Sequence, residues 1–194
     1  IPADAQNDPA EDVPFTLWSQ YLDMIIFPDH KTTQQQRSHI GYTLKLVVGS
    51  MLSHARPGDI PRFLGALLRY YDDPAALPPD TAFTLLDAIR YLPSQYYGAD
   101  TLDKLIHFAA YFASSGELRH VTAALEFLRE AQRSLPRSHP QMARIVQIAR
   151  TVPSTQLTTA FLQYKILQRA GLDVSDLEQA LYQTDITSEV FLDN

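Results

Sequence analysis

The chain has 194 residues, a formal net charge of −6 and a hydrophobic fraction of 45%, which suit one globular domain, or two small ones sharing a core, rather than a disordered segment. It has no cysteine, so a disulfide framework, a thiolate zinc site, an iron–sulfur cluster and a cysteine nucleophile are excluded together. The most apolar stretch, residues 42–52, is broken by Lys45 and Gly49, so no helix is expected to span a membrane.

The chain opens on Ile1 rather than Met, as a processed form or a fragment of a longer protein would. Residues 1–12 are polar, acidic and proline-bearing and are expected to form a flexible arm. Asp12 and Pro14 then open a first helix, with Phe15, Trp18, Leu22, Ile25 and Ile26 at helical spacing and Pro28 as its stop. A second helix follows Thr32 or Thr33 and runs to about Ala55, with Ile40, Leu44, Val47, Val48 and Met51 as its stripe. Asp59 is expected to cap a third helix, with Phe63, Leu64, Leu67 and Leu68 facing inward, until Asp72-Asp73-Pro74 breaks it. Asp80 or Thr81 caps a fourth, lined by Phe83, Leu85, Leu86 and Ile89 and stopping near Pro93.

Asp100 is the expected cap of a fifth helix carrying Leu102, Leu105, Ile106, Ala109 and Phe112. Ser115-Gly116 separates it from a sixth, with Leu118, Val121, Leu125 and Leu128. Ser138-x-x-Gln141 has the form of a capping box for a seventh. Ser154 caps an eighth, which Gly171 ends, and Ser175-x-x-Glu178 opens a short ninth. No segment alternates as a strand would. The expectation is an all-α protein of about nine antiparallel helices: a single helical domain over residues 13–184, with an acidic tail over 185–194. The helices form either stacked hairpins, as in an α-solenoid, or an irregular bundle.

Charge is segregated along the chain. All sixteen Lys and Arg lie between residues 31 and 171, and both ends are purely acidic. Between residues 117 and 150 there are six arginines (Arg119, Arg129, Arg133, Arg137, Arg144, Arg150) against Glu117, Glu126 and Glu130. Such a middle can satisfy the acidic ends, stay simply solvated, or face an anionic partner.

Three segments share a layout: residues 67–89, 108–128 and 161–181. Each has a helix end with a tyrosine (Tyr70, Tyr111, Tyr164), a break, and a second helix with a small residue (Ala82, Ala123, Ala180). The middle one, LIHFAAYFASSGELRHVTAALEFLREA, resembles a pentatricopeptide or tetratricopeptide hairpin through Tyr111, Gly116 and Ala123 or Ala124. The resemblance implies stacked helical hairpins in which the aromatic fills between helices, the glycine turns the chain and the alanine lets backbones approach. It carries over no functional residue.

Catalytic and cofactor motifs are missing from the sequence: there is no G-x-S-x-G, H-E-x-x-H, P-loop or G-x-G-x-x-G. Asp103, His107 and Tyr111 share a helical face and can orient a base or hold a metal, or simply form an Asp103–His107 surface pair worth a few tenths of a kcal/mol. Asp72-Asp73 and Asp100/Asp103 have the composition of acid–base or Mg²⁺ sites, and equally of helix-end carboxylates. The expected function is therefore non-enzymatic, with no cofactor and no metal. It is a soluble, intracellular scaffold or adaptor that binds another, acidic protein and belongs to a larger assembly. The expected contacts are Arg129, Arg133 and Arg137, with Tyr71 and Tyr97 as rims, because a Tyr-Tyr doublet on a helix cannot bury both rings equally. The alternative is an RNA-binding helical-repeat module.

Overall fold

A computed structural model describes Gln20, Leu22 and residues 58–90, 98–153 and 155–183. The arm, the tail, Tyr97 and nearly all of the first two expected helices lie outside the described residues. Gln20 and Leu22 are helical, and Leu22 is fully buried. Among the described residues helix is the only regular structure, in seven α-helices and two short 3₁₀ turns. Contacts group the chain into two compact units, Ile1–Tyr91 and Leu92–Asn194.

In the first unit, α1 (Ile60–Leu68) leads directly into a 3₁₀ turn, Arg69–Tyr71. Asp59 stands at its N-cap position, but its backbone is already helical and its side chain makes no capping bond; Pro61 in the first turn sets the start. Ile60, Leu64 and Leu67 are buried, while Phe63 and Leu68 are only half-buried. A second 3₁₀ turn, Pro74–Ala76, is capped by Asp73, whose carboxylate accepts from the Ala75 N–H at 3.2 Å. That gives one carboxylate of the Asp72-Asp73 pair a structural task. The next helix, α2 (Pro79–Ile89), starts at the proline itself, with Asp80 in its first turn rather than at its cap.

The second unit holds α3 (Ala99–Ala113), α4 (Leu118–Ser134), α5 (Pro140–Thr151), α6 (Leu157–Arg169) and α7 (Ser175–Gln183). Three expected caps shift. Gly98 precedes α3, where Asp100 occupies the first turn. His139, not Ser138, caps α5: its Nδ1 accepts from the Gln141 N–H at 3.2 Å, so the expected capping box does not form. Gln156 precedes α6. Gly116 and Gly171 take φ of 75° and 77°, as the residue after a helix does when the chain turns left-handed. At Gly171 the full motif is present, with Gly171 N–H donating to Gln168 O and Leu172 N–H to Leu167 O.

Helices consecutive in the chain alternate in direction, and three contacts agree with this. Phe112 near the end of α3 packs on His120 near the start of α4, ring centroids 5.2 Å apart. Gln163 in α6 bonds the carbonyls of Ala149 and Val152 at the end of α5. Leu181 near the end of α7 packs with Ala160 and Tyr164 of α6. Helix α3 packs on α4 and α5, α4 also on α5 and α6, and α6 also on α5 and α7. Ala109 and Ala113 of α3 and Ala123 and Ala124 of α4 are all buried, and such small residues let helix backbones approach. Around them Leu105, Phe108, Leu125, Phe127 and Leu128 are essentially inaccessible, each contributing roughly 1.5–3 kcal/mol of transfer free energy.

Two buried glutamines stitch this unit. Ala149's carbonyl would ordinarily accept from residue 153, but that residue is Pro153, which has no N–H. Gln163 Nε2 supplies the missing donor at 2.7 Å and also reaches Val152 O at 3.2 Å. Gln132 Nε2 donates to Ile166 O at 2.9 Å.

Candidate functional site

The arginines of α4 sit where a helix accepts positive charge best, at its C-terminal end. Arg129 and Arg133 are one turn apart and share one carboxylate, Glu130 Oε1, at 3.3 and 3.2 Å. Arg129 is half-buried and Arg133 exposed. Arg137 lies exposed in the connection after Pro136 and makes no ion pair among the described residues. The packing of α6 beside α4 adds a fourth member. The exposed Arg169 donates from Nη2 to the Arg133 carbonyl at 3.1 Å. That bond satisfies an end-of-helix carbonyl and holds a guanidinium 36 residues away in sequence beside Arg133. Sequence reasoning missed Arg169, because its place depends on α4 and α6 ending together.

The Asp103–His107–Tyr111 face exists, and all three residues are exposed. Asp103, however, does not pair with His107. It accepts from Arg144 Nη1 at 2.5 Å and Gln141 Nε2 at 3.0 Å, tying the start of α3 to the start of α5. An arginine fork outcompetes an exposed imidazole for a carboxylate. Arg144, one of the six arginines, is thereby engaged within the fold.

The tyrosine expectations need correction in three places. Tyr70 and Tyr71 are both buried, because residues 69–71 wind as a 3₁₀ turn rather than continuing the α-helix. Tyr71 is 1% exposed and donates its hydroxyl to Leu85 O in α2 at 2.8 Å; it is a core residue and no rim. Tyr70 lies against the Arg69 guanidinium, 4.8 Å from the ring centroid. Tyr111, expected to fill between helices, is 46% exposed, and its neighbour Phe112 is buried instead.

The large exposed apolar side chains among the described residues are Tyr111, Leu118, Leu157 and Tyr182, at 41–67% exposure. They occupy the end of α3, the start of α4, the start of α6 and the end of α7. With the helices alternating in direction, all four fall at one end of the second unit, opposite Arg133 and Arg169. Sequence reasoning also missed His120. It is buried at the first turn of α4, with Nδ1 3.0 Å from the carboxylate of Glu117.

Among the described residues two groups are shifted in their titration. Burial first, then the Glu178 carboxylate, pushes the Tyr164 phenol up, against a hydrogen bond from Gln168. Hydrogen bonds from the Ser175 hydroxyl and N–H hold the Asp173 carboxyl below its ordinary range. Among the described residues no group of three histidines or carboxylates is placed to hold a metal ion, and no helix is long and apolar enough to cross a membrane. Comparison with protein-family models, with curated proteins and with solved structures finds no match for this chain.

Proposed function

We propose that the chain is a non-enzymatic helical scaffold or adaptor that binds another protein within a larger assembly inside the cell. The observation that carries this reading is the packing order of the second unit, in which α3 pairs with α4 and α5 with α6 while α3 also meets α5 and α4 meets α6. That order supports stacked helical hairpins, an architecture whose outer helix faces serve as extended binding surfaces. The exposed stripe Asp103, His107 and Tyr111 on α3 is such a face. Arg129, Arg133 and Arg137 are the proposed charged contacts, with Tyr97, which lies outside the described residues, kept as a rim.

The test is site-specific photo-crosslinking in cells from positions 107 and 111. A single protein partner recovered reproducibly from both positions is expected. Adducts with RNA alone, or no adduct from either position, would overturn the scaffold reading.

RNA binding is the second reading, and the arginine excess favours it. Base stacking on an arginine-bearing surface wants aromatics interleaved there. Phe127 is fully buried, and the exposed Tyr111 and Tyr182 lie at the other end of the unit.

A further inference from the structure

We infer that Arg133, Arg137 and Arg169 together form one binding site for a carboxylate-rich peptide segment of the partner. This rests on the scaffold reading and names the chemistry the partner would present.

The juxtaposition is structural, not local. Arg133 ends α4, Arg137 lies in the connection that follows, and Arg169 ends α6 and is hydrogen-bonded to the Arg133 carbonyl. The carboxylate paired with this group is Glu130, which is already divided between Arg129 and Arg133. Arg169 spends one of its five N–H donors on the Arg133 carbonyl and keeps an edge for a second acceptor. Arg137 has an exposed guanidinium. Three exposed forks stand against half of Glu130 and against Asp173, four residues past Arg169, whose carboxylate already accepts two bonds from Ser175; the balance is a local positive excess in a chain of net charge −6.

The chemistry of the ligand follows. Guanidinium forks match carboxylates and phosphates in pairs. The aromatics nearest in sequence, Phe127 before Arg133 and Tyr164 before Arg169, are both buried, so neither ring is offered for a base to stack on. A peptide bearing several Asp or Glu side chains fits such a site and a nucleic acid fits it less well. The other arginines of the basic stretch are excluded by geometry. Arg144 is paired with Asp103, Arg119 with Glu117 at the start of α4, and Arg150 lies at the end of α5, on the opposite end of the unit.

The experiment is fluorescence anisotropy on the full chain with labelled polyglutamate and, separately, a single-stranded RNA oligonucleotide, at low and physiological salt. Polyglutamate should bind more tightly than RNA, and more weakly as salt rises. R133E/R137E/R169E should weaken the peptide by about tenfold or more, and R150E should leave it unchanged. R137E alone, at a position with no ion pair among the described residues, should weaken it about threefold, so a folding defect in the triple variant cannot mimic the result. Unchanged peptide affinity in both R137E and the triple variant overturns the site. So does RNA binding that is tighter than the peptide's. Either outcome leaves the scaffold reading to its crosslinking test, and a lost crosslink with intact peptide binding sinks the scaffold reading alone.

Discussion

The two ends of the second unit are built from the same five helices and present opposite surfaces. At one end α4 and α6 stop and carry Arg133 and Arg169; at the other α3 and α7 stop and α4 and α6 begin, exposing Tyr111, Tyr182, Leu118 and Leu157. Each end is also closed by a buried glutamine, Gln132 beside the arginines and Gln163 beside the apolar residues. The two look equivalent on paper, since both donate Nε2 to a carbonyl and both leave a buried Oε1 without a partner. They differ in whether the carbonyl has another donor. Ile166 O also accepts from the Ala170 N–H at 3.2 Å, whereas the donor that Ala149 O would otherwise receive is removed by Pro153.

Substituting the two glutamines is the sharpest way to break that comparison. Gln163→Leu leaves two buried carbonyls without their side-chain donor, and a loss of about 1–3 kcal/mol is expected. Gln132→Leu removes an orphaned acceptor together with a redundant bond, so a change within about 1 kcal/mol is expected. Chemical denaturation of both variants measures the difference directly. Equal losses would mean that Pro153 is irrelevant to the closure of this end.

A smaller effect is expected from the apolar end itself. Tyr111→Ser together with Leu157→Ser removes two half-exposed side chains that the core does not need, and stability should move by less than about 1 kcal/mol for the pair. A larger loss would place these residues in the core contacts of the fold rather than on its surface.

Much of this architecture is legible in the sequence, and the failures have identifiable causes. The Leu and Ile spacings of α3 and α4 locate those helices, because burial on one face imposes a 3.6-residue period whatever the tertiary partner. Proline in the first turn marks α1, α2 and α5 in the same way. Caps are less legible, since several side chains can accept from the same N–H. His139 replaces Ser138 by lying one residue closer to the helix. Tyr71 is not legible because the sequence pattern does not show that the α-helix tightens into a 3₁₀ turn at residues 69–71, where both tyrosines are buried. Arg169 and Gln132 depend on which helix ends meet, and no local pattern encodes that. Gln163 was within reach: a proline four residues after Ala149 announces a carbonyl that needs a donor from elsewhere.

The smallest expected effect is at the turn into α7, on the arginine end of the unit. Asp173 accepts from the Ser175 N–H at 3.0 Å and from its hydroxyl at 2.6 Å, and both bonds favour the ionised carboxylate. Its folded-state pKa therefore lies below the unfolded value of about 3.9. The sign follows from linkage: the group adds stability above the unfolded pKa and loses it as pH falls through the lower, folded one. Asp173 is fully solvent-exposed, so the effect is local fraying of α7 rather than global unfolding. Amide exchange of residues 175–178 should quicken, relative to the core of α4, as pH drops below about 4. Asp173→Asn should show the faster relative exchange already at neutral pH and little further change on acidification. If wild type and variant kept the same relative protection at neutral pH, the Ser175 bonds would not be what holds the start of α7.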